Sequence, residues 1–224
     1  MTTSTPHRTD ARLRIDLWSD VVCPWCYLGA TRLRKAIAAS PRADSIDLVY
    51  HAYELDPTAP AEVHPNLEYL AEKFGMPPAQ VEEMEAGMAA RAAAEGLPYT
   101  AHRPHARTFD LHRLTAFAAL SGKSAALMAA LQHELFSGGR DVFDHAVLAD
   151  VAAEVGLDRA AAAEVLAGDA HTDEVRADIA EAHRIGVRGV PFAVLAGRFG
   201  VSGASEVDGY AHAIERAWEV VDEA

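Results

Sequence analysis

Cysteine is almost missing from this chain: Cys23 and Cys26 are the only two among 224 residues. A secreted scaffold stapled by disulfides is excluded by that count. Positive charge is scarce too. Twenty Lys and Arg stand against 33 Asp and Glu, a formal net charge of −13 with histidine neutral. Such a surface repels polyanions, so neither nucleic acid nor an anionic membrane is expected as a partner. No apolar run approaches the roughly 20 residues that a membrane span needs. The opening Met1-Thr-Thr-Ser-Thr-Pro-His-Arg-Thr-Asp10 lacks the apolar centre of a secretory signal. The expectation is a short frayed tail, residues 1–12, on a soluble cytoplasmic protein. Glycine and proline are close to ordinary usage, which excludes collagen-like and low-complexity chains, and half the residues are hydrophobic. That is material for one core, or one core carrying a large insertion.

The two cysteines fall three residues apart, a spacing that random placement would rarely give. A C-x-x-C pair can supply half of a zinc site, or it can form a reversible disulfide between a nucleophilic and a resolving thiol. Context separates the two. Before the pair, Leu13-Arg-Ile-Asp-Leu-Trp18 alternates apolar and polar residues as a strand does. After it, Cys26, Ala30, Leu33 and Ile37 repeat at helical spacing until Ser40-Pro41 stops the helix. Pro24 suits the first helical position, where its missing N–H costs nothing. Cys23 is therefore expected at a helix N-terminus, beside unpaired N–H groups and the positive end of the helix dipole, where a thiolate is stabilised. Cys26 starts the buried face one turn later. One exposed and one sheltered sulfur is the asymmetry that disulfide exchange requires. Zinc would need two further ligands. His102, His105 and His112 are available, but their spacing follows no recognised finger or ribbon pattern, so no metal and no bound cofactor is expected.

Ile46–Tyr53 reads as a second strand, and the intervening helix fits a crossover between parallel strands. Glu54–Pro60 then breaks regular structure. From about 66 to 168 the chain turns helical, with candidates over 67–74, 78–95, 108–120, 124–136, 144–155 and 158–166, several bounded by caps and terminal glycines. Leu127, Leu131 and Leu135, and likewise Val81, Met84 and Met88, read as plain helix core. The last quarter returns to mixed structure. Thr172 is expected to cap a helix that Gly186 closes. Phe192–Leu195 and Arg198–Ser202 form a hairpin turning at Ala196-Gly197. Ser205 to Asp208 reads as a capping box opening a final helix, with Val207, Tyr210, Ile214, Trp218 and Val221 on one face.

This layout resembles the DsbA family, specifically its FrnE-like branch. The resemblance is carried by Ser19-Asp-Val-Val-Cys-Pro-Trp-Cys-Tyr-Leu-Gly29, Thr108-Phe-Asp-Leu-His-Arg-Leu114, Gly186-Val-Arg-Gly-Val-Pro-Phe192 and Val201-Ser-Gly-Ala204. It implies an α/β, thioredoxin-like fold interrupted by an all-helical insertion: a discontinuous domain of residues 13–64 and 171–224, with 65–170 as the helical unit. It further implies that Val190-Pro191 is a cis peptide facing the cysteine pair, with Cys23, Cys26 and Pro191 catalytic. Pro24, Trp25, Val190, His112 and Arg113 are the candidate substrate-binding residues. His112 and Arg113 would line the cleft between domains and add positive potential near Cys23; their plain reading is a helix with one exposed arginine and one hydrogen-bonded histidine. The chain departs from the family where Arg107 and Leu111 replace an expected Asn and Ala. Leu17 also stands where many thioredoxins carry a buried acid. Proton transfer at Cys26 would then need water or another group; Asp20 and Glu54 are candidates, although each reads more simply as a turn or surface acid.

The function so implied is thiol–disulfide exchange on a protein or small-molecule thiol or disulfide, with an unidentified reductant or oxidant to recycle the pair. The alternative on the same fold is a glutathione-dependent isomerase or transferase similar to 2-hydroxychromene-2-carboxylate isomerase, which needs no resolving thiol. A third possibility is a binding module whose cysteines act as a redox switch. Monomer and homodimer both remain open.

Overall fold

The structure, a computed structural model, describes residues 11–223; residues 1–10 of the expected tail lie outside the described residues. Arg12, the last residue of that tail, is held, its guanidinium donating to Asp47 at 2.7 Å.

A four-stranded sheet runs in the order β2-β1-β5-β6. Strand β1 (Leu13–Ser19) is central, with Leu13, Ile15 and Leu17 fully buried. Helix α1 (Pro24–Ala39) crosses over to β2 (Ile46–Ala52), which pairs in parallel with β1 from Leu13↔Ile46 to Ser19↔Ala52. On the other side β5 (Phe192–Leu195) runs antiparallel to β1, and β6 (Phe199–Ser202) antiparallel to β5. Ala196 and Gly197 both have positive φ, 53° and 64°, as a tight two-residue hairpin turn requires.

Residues between β2 and β5 supply a two-residue ladder of β3 (His64–Pro65) with β4 (Pro104–His105), and seven helices. These are α2 (Asn66–Phe74), α3 (Pro78–Ala94), α4 (Phe109–Ala119), α5 (Ser124–Ser137), α6 (His145–Glu154), α7 (Arg159–Ala167) and α8 (Thr172–Arg184). Their ends follow local chemistry. Asp144 and Asp158 cap α6 and α7 through backbone amides, and Gly75 ends α2 at φ 60°. Thr172 departs from expectation: it is the first residue of α8, and the cap position belongs to His171 at φ 64°. The last helix, α9 (Val207–Glu223), begins two residues beyond Ser205 and buries Tyr210, Ile214 and Trp218. It packs on α1 and on β1, β5 and β6, whereas α4, α5 and α8 meet β2. One apolar core runs without a break from Leu13, Ile15 and Leu195 into Leu114, Leu127 and Leu131 of the helical segment.

Candidate active site

The strand-to-helix junction sets the site. Cys23 takes the N-cap of α1 in extended geometry and Pro24 the first helical position. The Cys26 amide donates to the Cys23 sulfur at 3.4 Å, so a helix-terminal N–H faces that atom. The Cys23 thiol in turn donates to the Val190 carbonyl at 3.6 Å. Cys26 lies one turn deeper, with no exposed surface, and its sulfur accepts from the Asp20 amide at 3.4 Å. Burial, and then the adjoining Cys23 thiol, push the Cys26 thiol pKa well above its ordinary value. Both cysteines are free thiols. The expected exposure of Cys23 needs correction: only 3% of its surface is open, with its sulfur against the Val190 carbonyl.

The Val190–Pro191 peptide is cis. Pro191 sits against α1 at Gly29, where a Cβ would come within 2.7 Å of the proline ring and 3.2 Å of the Ala204 backbone. Gly29 thus lets the Pro191 loop lie directly on the cysteine helix.

Cys23, Pro24, Trp25 and Val190 line one groove of about 630 Å³. Its far wall comes from α2, α3 and the segment around His105, none of which sequence reasoning placed at the site. Trp25, Leu55, Phe74 and Met84 all line it while 38–52% exposed. Met84 is therefore corrected from helix core to groove wall; Val81 and Met88 of the same stripe are buried. The polar groups of the groove are mostly paired with one another. Asp56 binds Lys73 and the Tyr69 hydroxyl; burial opposes its charge, but these contacts hold its carboxyl well below the usual range. Arg103 and Glu85 pair at 2.6 Å, both nearly inaccessible. Burial lowers His105 to about 4, so its ring, stacked on Tyr69, is neutral. The Arg91 guanidinium lies 5.5 Å from the centre of the Trp25 ring.

The two helical candidates are placed elsewhere. Arg113 is buried, donating to Asp110 at 2.8 Å and to the carbonyls of Val165, Gly168 and Ala170. It is neither exposed nor at the groove; it ties α4 to the end of α7. His112 is buried as well, its Nε2 3.3 Å from Asp20 Oδ1, behind the cysteines rather than beside substrate space. Asp20 and Glu54 are not surface acids. Both are buried, Asp20 accepting from the Leu55 amide at 2.8 Å and Glu54 from Arg107 at 3.1 Å. Leu111 is core. Among the described residues no cluster of three or more His, Cys, Asp or Glu is arranged to hold a metal ion.

Residues 14–215 match the DSBA-like thioredoxin domain. A probable DsbA oxidoreductase from Streptomyces coelicolor is 42% identical, with 93% of this chain and 91% of that one covered and a TM-score of 0.87. The fold is shared with 2-hydroxychromene-2-carboxylate isomerase (17% identity, 94% and 99% covered, TM-score 0.67). It is shared also with the cytosolic disulfide reductase DsbM of Pseudomonas aeruginosa (21%, 92% and 99%, TM-score 0.57). No curated protein matches the chain. A C-x-x-C pair at the head of the crossover helix, the Pro191 loop against it and the match across nearly the whole chain lead to one conclusion: the chain belongs to the DsbA-like thioredoxin family.

Proposed function

We propose that the protein catalyses thiol–disulfide exchange, cycling between the two thiols and a Cys23–Cys26 disulfide. The observation that carries this reading is the unlike setting of the two sulfurs. Cys23 forms part of the groove wall, whereas Cys26 is sealed beneath it and kept protonated by burial. A nucleophile must meet substrate, and a resolving thiol must be held back until a mixed disulfide has formed. Pro24, Trp25 and Val190 contact the substrate and Pro191 seats the loop; the substrate is a protein or small-molecule disulfide or thiol, and a separate reductant or oxidant recycles the pair. The FrnE-like branch and a cytoplasmic setting belong to the same proposal, as does a thioredoxin-like unit of 13–64 and 171–224 interrupted at 65–170. In support of that division, all four strands of the main sheet come from the outer segments.

Insulin reduction by dithiothreitol tests the function. Wild-type protein is expected to speed precipitation of the insulin B chain, and Cys26→Ser to abolish turnover while trapping a mixed disulfide on Cys23. A glutathione-dependent isomerase would be inert toward insulin and indifferent to Cys26→Ser, and a binding module would show no turnover.

A further inference from the structure

Buried polar atoms without an aligned hydrogen-bond partner gather behind the cysteine pair: Ser19 Oγ, Asp20 Oδ1, both ring nitrogens of His112 and Gln132 Oε1. They form one neighbourhood. His112 Nε2 faces Asp20 Oδ1 at 3.3 Å, Gln132 donates to the Asp20 carbonyl at 3.3 Å, and Asp20 donates its own amide to the Cys26 sulfur. Buried polar atoms are ordinarily paired, and where several are left open together a working site is a common reason. Leu17 of β1 is apolar and fully buried, so that strand position supplies no proton acceptor.

We propose that Asp20 takes the proton of Cys26 during resolution of the mixed disulfide, with His112 as the residue that positions its carboxylate. This rests on the exchange chemistry proposed above. Cys23 thiolate first displaces one thiolate from an organic disulfide R–S–S–R, giving Cys23–S–S–R. The Cys26 S–H bond then breaks, its proton passing to an Asp20 carboxylate oxygen. The sulfur lone pair so freed forms the Cys23–Cys26 bond, and the second R–S⁻ leaves with the electrons of the broken S–S bond. The protein has lost two electrons, the disulfide has gained two, and Asp20 releases its proton to the groove that it lines. In the reverse direction Asp20 returns the proton to Cys26.

The geometry favours Asp20 over its neighbours. Its amide donates to the Cys26 sulfur at 3.4 Å, so the residue is in direct contact with the thiol. Oδ2 is anchored by the Leu55 amide, whereas Oδ1, which faces His112 Nε2, accepts no aligned hydrogen bond. Glu54 is committed to Arg107 through both carboxylate oxygens. Titratable groups near Asp20 include Cys26 of α1 and His112 of α4, in contact with it, and Tyr69 of α2 and His105 of β4, which feel its charge.

5,5′-dithiobis(2-nitrobenzoate) separates the two steps, because Cys23 attack and Cys26 resolution each release one nitrothiolate. In Asp20→Asn at pH 7 the second release is expected to slow at least tenfold more than the first, within the range of general base catalysis. Its rate should then climb about tenfold per pH unit, as hydroxide replaces the lost base. Asp20→Glu should recover most of the loss, and His112→Gln should slow the second release selectively by a smaller factor. An unchanged ratio of the two releases in Asp20→Asn, or equal slowing of both, overturns the proposal; should that variant fail to fold, the same ratio in His112→Gln decides. A wild-type protein that releases only one equivalent overturns the exchange reading itself, and the relay with it.

Discussion

The Cys26 thiol has no exposed surface, and burial with the neighbouring Cys23 thiol keeps it protonated near neutral pH. Brief iodoacetamide treatment of the native protein at pH 7 should therefore label Cys23, with Cys26 reacting only after denaturation. Peptide mass mapping reads this directly, and equal labelling of both would contradict the arrangement. Gly29 makes a second prediction. A methyl group there would lie 2.7 Å from the Pro191 ring, with the Ala204 backbone closing the other side. Gly29→Ala should cost about 1–3 kcal/mol by overpacking, and insulin reduction should slow as the loop lifts from α1. A wild-type melting curve together with a wild-type rate would mean that the loop gives way freely. The cysteine pair was legible in the sequence because its chemistry depends on local context: a strand before, a proline at the helix start, a buried face after. Met84 and Arg113 were misjudged because periodicity reports which side of a helix a residue takes, not what that side meets. Met84 meets a groove and Arg113 meets carbonyl groups, both supplied by distant segments.

His51 of β2 joins three elements, bridging Asp16 of β1 at 2.8 Å and Asp178 of α8 at 2.6 Å while stacked on Trp18. Burial works against its charge, but hydrogen bonds to Asp16 and then Asp178 outweigh that and raise it to about 9. The folded value exceeds the ordinary one of 6.5, so the protonated ring stabilises the fold. That stabilisation is complete below about pH 6.5 and is lost as pH rises through about 9. Its upper limit is about 3 kcal/mol. Urea unfolding at pH 6 and pH 9.5 should show wild type losing stability toward the higher pH, and His51→Gln should flatten the difference. Charged groups near the ring (Arg14 on Asp16, and Glu181) persist in that variant, so an unchanged pH slope would rule out His51 as its source. Arg113 is the counterpart on α4. Arg113→Met should lose about 3 kcal/mol or more, since buried acceptors are left unpaired, while the folded variant keeps its exchange rate. At this scale helices showed well in the sequence, because Gly75, Gly138, Asp144 and Asp158 are local signals. The β3–β4 ladder was invisible, since two residues have no period.

The whole molecule carries a formal net charge of −13, and in the groove Lys73 and Arg103 are each paired with a carboxylate. Composition shows the charge but not its relation to the groove, which regions far apart in the chain close together: the cysteine helix, the Val190 loop, α2 with α3, and the segment around His105. Long-range charge acts on encounter, before any contact forms, and salt screens it within about 10 Å at 0.1 M. The rate of Cys23 attack should therefore depend on the charge of the disulfide offered. With anionic glutathione disulfide, raising the salt from 20 to 500 mM should speed the reaction a few-fold, because repulsion is screened. With cationic cystamine the same change should slow it. A neutral disulfide such as bis(2-hydroxyethyl) disulfide should respond little, which controls for effects of salt on the thiol itself. Stopped-flow rates for the three compounds give the answer. Should all three respond alike, local charge at the groove would govern approach, and the acidic surface would bear on solubility alone.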